Sequence, residues 1–223
     1  MDYDGGKTMK NMKKIIVALV CVMMLGVLGG CGAKFDAEAY LSALLDNSYK
    51  NDSSAFVELK IGTAEEAAKL YEEGIDKEMD AFLSQLDVSE ELEAEFRELF
   101  KNMLGKVKYS VTGSEKQDDG SYVVTVSYEQ MKIFGPMMTD YEARVTDMYT
   151  QWSESEEIPS EDEMMEAIIV ALKDCLEETL ANVEYAETAT TEVRIELKDK
   201  VYQPNMQDVT ALEEVLFDTD AAN

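Results

Sequence analysis

Thiols, imidazoles and carboxylates decide most of the chemistry open to a protein, and this chain is unevenly supplied with them. Its 223 residues include three cysteines, no histidine, and 47 Asp+Glu against 20 Lys+Arg, a formal net charge of -27. Without histidine there is no His-based triad, no His-ligated zinc and no imidazole proton shuttle near neutral pH. No S-x-x-K, G-x-S-x-G, H-E-x-x-H or phosphate-loop spacing occurs. The acidity argues against nucleic acid, because phosphate binding needs a basic face. Carboxylates at a defined separation could hydrolyse glycosides, yet at this density pairs occur at every spacing, and a solvated acidic surface explains them. Asp118-Asp119-Gly120-Ser121 lacks the alternating ligands and distal Glu of a calcium loop and reads as a hairpin turn. Glu161, Asp162, Glu163 and Glu166 gather in the first turn of a helix, where they oppose its dipole. That place suits weak divalent-cation binding rather than a built metal site. No cofactor and no catalytic residue is assigned.

The amino terminus is the most specific feature. Lys10, Lys13 and Lys14 precede an uncharged run from Ile15 to Gly30, which ends at Cys31. A basic start, a short apolar stretch and small residues at its end read as a secretory signal. The run is shorter than the ~20 residues of a permanent membrane helix. Its end, Leu28-Gly29-Gly30-Cys31, resembles the lipobox of bacterial lipoproteins. The resemblance implies cleavage between Gly30 and Cys31, a diacylglyceryl thioether on the Cys31 sulfur, and anchorage on the extracytoplasmic face of the cell membrane. Residues 1–30 are then a lipoprotein signal peptide and residues 31–35 a short lipid-anchored tether. The residues before Met9 read as an upstream start. Taking four Lys and two Asp from the totals leaves 16 basic and 45 acidic side chains, net -29. Such a body is repelled from an anionic surface over about one Debye length, ~8 Å, and is expected to stand off the bilayer. Once Cys21 leaves with the signal and Cys31 is acylated, Cys175 has no disulfide partner; beside Leu172 and Leu176 it reads as a buried structural thiol.

The elements that would carry any site follow from periodicity. Helical spacing of apolar residues begins after Asp36, and Asn51 to Ser54 end that helix. Thr63 and Glu66 form a capping box ahead of a helix with Tyr71, Ile75, Met79, Phe82 and Leu86 inward, and Gly74 offers a possible break. Ser89 caps a third helix that ends at Gly105. Period-two alternation then predicts strands over 106–114 and 121–134 around the Asp118-Asp119-Gly120 turn. A helix with Met138, Tyr141, Val145, Met148 and Trp152 follows Gly135-Pro136. Pro159 ends it, Ser160 caps the next, and strands are predicted over 183–188 and 191–198, with a last helix over 208–217. The spacing of Leu104, Val107 and Tyr109 repeats in Leu180, Val183 and Tyr185. Two readings stay open: a duplicated helix-hairpin unit, or one type of helix-to-strand junction used twice. Either way the expectation is an α+β fold, with amphipathic helices on one face of a mostly antiparallel sheet of about four strands. No Pro/Gly/Ser-rich linker interrupts it, so 36–217 is expected to be a single domain and 218–223 a tail.

The lipobox, FDAEAYLSALLDNSYKNDSSAF, TAEEAAKLYEEGID and the VKYSVTGS…YVVTVSYE hairpin together resemble small Gram-positive lipoproteins built on a domain of unknown function. That family is similar in pattern to NTF2-like and cystatin-like folds. The resemblance implies attachment at the cell surface and room for an apolar ligand pocket, and it carries no activity with it. The expected function is a lipid-anchored, non-enzymatic domain that binds a protein, peptide or small-molecule ligand of cationic character. Its rivals are a carboxylate-dependent hydrolase of cell-wall glycans and an accessory subunit of an envelope complex. Ligand-binding residues are not assigned by the sequence.

Overall fold

The computed structural model describes residues 35–83 and 88–219. The signal peptide, Gly30, Cys31, most of the tether and Leu86 lie outside the described residues, as do residues 220–223 of the expected tail. The fold is α+β, with seven helices, a four-stranded antiparallel sheet and a separate two-stranded one among the described residues.

Four helices come first: α1 (Ala37–Lys50), α2 (Ser54–Glu58), α3 (Ala64–Leu83) and α4 (Glu90–Gly105). Their starts are where hydrogen-bonding side chains can reach free backbone N–H groups. Asp36 accepts from Ala39 N at 3.0 Å, and Ser89 from Leu92 N at 3.2 Å. At α3 the Thr63 hydroxyl accepts from Glu66 N while the Glu66 carboxylate accepts from Thr63 N. Helix α3 runs through Gly74 unbroken. The glycine is buried, and packing around it offsets its poor helix propensity of roughly 1 kcal/mol.

Strands β1 (Lys108–Lys116) and β2 (Tyr122–Glu129) form the expected hairpin, and Gly120 takes the positive φ its turn needs. Asp119 braces that turn by accepting from Ser121 N and Oγ. Thr112 is the extra residue of a bulge between Val111 and Gly113. The bulge switches faces, so that Ser114 reaches the helical side and donates to Glu38.

Beyond the hairpin the pairing departs from expectation. The predicted strand over 121–134 breaks at Gln130, and its remainder, β3 (Met131–Lys132), leaves the main sheet. Helices α5 (Phe134–Glu154) and α6 (Glu161–Ala181) follow; Ser160 caps α6 as expected, and Glu163 completes a capping box there. The segment over 183–188 yields only β4 (Glu184–Tyr185), which pairs with β3, while β5 (Ala189–Lys198) pairs with β2. The two late strands therefore do not form a hairpin with each other. An unpredicted strand, β6 (Val201–Pro204), pairs with β5, giving the order β1-β2-β5-β6. Helix α7 (Met206–Leu216) ends the fold, capped by Asn205.

Helices α1 and α7 lie on the sheet face that carries Val124, Val126, Val193 and Ile195. Behind α1 stand α3 and α4, then α6 and α5. The other sheet face presents Ser110, Thr112, Thr190, Glu192 and Arg194 to solvent, as expected of an antiparallel sheet covered on one side. The start of the expected tail is tied down. Phe217 bridges Met131, and the Asp218 carboxylate accepts from the N–H groups of Ile133, Phe134 and Gly135 at 2.8–3.0 Å. Asp218 is thus the anion at the α5 amino terminus, a role that local sequence around Gly135-Pro136 does not reveal.

Candidate functional site

Three places could host chemistry, and all lie among the helices. The first is an open groove of about 640 Å³ between α4 and α6. Glu91, Glu95 and Glu98 line it from α4, and Glu177 lines it from α6, with Ala94, Leu99 and Asn102 forming the rest of its α4 side. The α4 carboxylates recur at i, i+4 and i+7, so they share one flank. Lys173 crosses from α6 and donates to Glu95 Oε2 at 2.8 Å, and it lies 3.4 Å from Asp174. The hydrogen bond to Glu95 holds the Lys173 ammonium above its ordinary pKa, so the strut stays charged. One lysine among four groove carboxylates leaves the surface strongly acidic. Repeated like charge at i, i+4 costs a helix a few tenths of a kcal/mol per pair. That was the one sequence signal for the groove, and it is faint in a chain with 47 acids.

The second place is a buried pair of carboxylates that the sequence did not single out. Glu78 of α3 and Glu213 of α7 are only 3% and 2% exposed. Burial pushes the Glu78 carboxyl up to about 7; Lys77 opposes the shift and the charge of Glu213 adds to it. Burial also raises the nearby Tyr49 phenol, with Glu213 again contributing. A raised carboxyl beside a second carboxylate has the electrostatics of a glycosidase acid. Neither Glu78 nor Glu213 lines the groove or the cavity described next.

The third is a cavity of about 20 Å³ where α3, α4, α5 and α6 meet. Met79, Phe82, Phe96, Phe100 and Met137 are among its lining residues, and no tyrosine is. A space this size holds one water-sized body, and an apolar wall disfavours even that. The tyrosines that could have lined a ligand pocket are spent elsewhere. Tyr40, Tyr49, Tyr71 and Tyr141 are buried, and Tyr109 donates to Asp46 at 2.8 Å. Cys175 is a free thiol, 1% exposed, and burial holds its pKa above the usual thiol value. It has the inert setting of a structural cysteine. Glu161, Asp162 and Glu163 stand in the first turn of α6, where Glu163 is occupied by the capping box. No group of three or more Asp, Glu or Cys able to hold a metal occurs among the described residues. No described helix is long and apolar enough to cross a membrane.

No family model and no curated protein matches the chain, so the NTF2-like expectation rests on sequence pattern alone. A solved structure does share the fold: ycdA of Bacillus subtilis, described there as a lipoprotein candidate, at TM-score 0.56 and 20% identity. The match covers 81% of this chain and 56% of that one, so the chain spans little more than half the length of its structural counterpart.

Proposed function

We propose that this protein is a lipoprotein, anchored through Cys31 on the extracytoplasmic face of the cell membrane, whose folded body captures a cationic ligand in the α4–α6 groove. The anchor is supported by Leu28-Gly29-Gly30-Cys31 after a signal-like run, and by a fold shared with a lipoprotein candidate. Residues 36–217 act as one binding domain. The observation that carries the binding reading is the groove itself: Glu91, Glu95, Glu98 and Glu177 converge on a space of about 640 Å³, with Lys173 the single cation in its lining. That volume falls within the 300–1,000 Å³ of ligand sites. Carboxylates without a metal cluster suit ammonium and guanidinium groups, which they bind through charge-assisted hydrogen bonds. The ligand is therefore a basic peptide segment or a polyamine.

The test uses the intact lipoprotein and a lysine hexapeptide, with binding measured by calorimetry at low and high salt. Binding should weaken with salt, and the double variant Glu95→Gln, Glu98→Gln should lose about tenfold in affinity, the worth of two exposed ion pairs. Unchanged affinity in the double variant refutes the groove. A Cys31→Ala precursor that is still processed and still labelled with fatty acid refutes the anchor.

A further inference from the structure

The anchored end of the body carries an aromatic and lysine-bearing surface, and its position follows from the length of the tether. Cys31 is four residues from Phe35, so fully extended chain gives it a reach of about 14 Å. Phe35 does not dangle. Its ring stacks on Tyr202 with centroids 3.7 Å apart and 11° between planes, and it lies 5.5 Å from the ring of Tyr122. Tyr122 opens β2 and Tyr202 lies in β6, so Phe35 is fixed to one end of the sheet. That end consists of the β1–β2 and β5–β6 turns, which touch: a Cβ on Gly120 would lie 3.7 Å from Leu197 Cδ2. Lys116 stands over the Tyr122 ring, Lys200 lies in the second turn, and Lys198 precedes it, paired with Glu196. Leu197 is 43% exposed although it occupies a position on the apolar side of β5.

We propose that this end, formed by the two turns with Leu197, Tyr122, Tyr202 and the three lysines, is the surface that rests on the lipid bilayer, in one fixed orientation. The proposal rests on the Cys31 anchor of the preceding section and adds which face of the body meets the membrane. A tether of that reach holds this end of the sheet within about 14 Å of the bilayer. Tyrosine rings at the headgroup level and lysines near an anionic leaflet are favourable there. The two turns and their flanks, residues 115–121 and 196–202, hold three lysines and five acids. The three lysines offset three of these acids, which leaves this end with a net charge of -2. With the turns downward, β5 rises from the membrane.

The experiment places a reporter at each end of that strand. Trp152 is the chain's single tryptophan, so Trp152→Phe provides a silent background in the intact lipoprotein. Leu197→Trp and Ala189→Trp are added to it separately; both positions are exposed, and eight residues of strand separate them by about 26 Å. The proteins are reconstituted into vesicles of phosphatidylcholine and phosphatidylglycerol containing acyl-brominated lipid, after mass spectrometry of the amino terminus. The Leu197→Trp protein should shift to shorter emission wavelength and lose most of its emission to the bromolipid, while the Ala189→Trp protein keeps its own. Equal quenching at both sites, or greater quenching at Ala189→Trp, overturns the orientation even when the lipid is present on Cys31. Absence of that lipid overturns the anchor reading first and this one with it.

Discussion

Replacing Glu78 with glutamine tests whether the α3–α7 carboxylate pair is as electrostatically costly as its burial implies. Glu78 titrates near 7 when folded, against an ordinary value of 4.5. Its folded-state pKa is raised, so the folded state holds the proton more tightly than the unfolded chain does. Stability from this group is therefore fully present below pH 4.5 and is lost as the pH rises through 7. The shift corresponds to about 3 kcal/mol as an upper bound, at 1.36 kcal/mol per pH unit. Glutamine has nearly the same shape and no charge to desolvate. Urea unfolding followed by circular dichroism at pH 5, 6, 7 and 8 should show wild type losing about 2–3 kcal/mol across this window relative to Glu78→Gln. At pH 8 the variant should equal or exceed wild type. Carboxylates held below their usual range by hydrogen bonds, such as Glu66, Glu163 and Asp208, act in the opposite sense and only toward acid. Both proteins share them, so the difference between the curves isolates Glu78. Parallel curves from pH 5 to 8 would show that water or a cation reaches Glu78, and the burial argument would fall.

Two further predictions concern how the fold is tied. Asp218→Ala leaves three N–H groups at the start of α5 without their acceptor. The cost should be about 2–4 kcal/mol, or about 5–15 °C in Tm by calorimetry, with Asp218→Asn in between; an unchanged Tm would show that the carboxylate is dispensable there. Tyr185→Phe removes the hydroxyl that donates to Lys106 O at 2.7 Å but keeps the ring under Lys108. It should cost about 1 kcal/mol, a fall of about 2–4 °C, and a larger loss would mean that the ring moves as well.

The parts of the fold that could be read in advance are those decided within a few residues. Asp36, Thr63, Ser89 and Ser160 cap helices because each reaches an N–H three positions on, a contact independent of tertiary structure. Strand partnership is decided at long range. Val183 to Thr188 reads as half of a hairpin with β5, yet β4 pairs with Met131 and Lys132, more than fifty residues earlier. Strand β6 was missed because the turn before it carries no turn glycine. Asp199 and Lys200 both take positive φ, where a two-residue hairpin usually has Asn-Gly. The groove and the Glu78–Glu213 pair share this difficulty. Glu95 and Lys173 are 78 residues apart, and Glu78 differs from its exposed neighbour Lys77 only in the way α3 is turned toward α7.

The distribution of charge on α4 bears directly on whether the groove is a site or a by-product of acidity. The helix has two basic residues, Arg97 and Lys101, and both turn toward α3, where Arg97 pairs with Asp76 and Lys101 with Glu72 at 3.1 Å. The spacing is that of antiparallel helices, with four residues up on one side matching four residues down on the other. Glu93 also pairs back to Arg97, so the α3 flank is nearly neutralised. On the opposite flank Glu91, Glu95 and Glu98 face α6. There Lys173 serves Glu95, and Glu98 reaches Lys101 only at 3.9 Å. Acidity that served solubility alone would need no such division, since scattered carboxylates do that equally well. Segregation instead leaves Lys173 as the one cation in the groove lining and makes that flank a negative channel. For the cationic ligand proposed above, loss of two carboxylates in the groove should therefore cost more affinity than loss of two from the α3 flank.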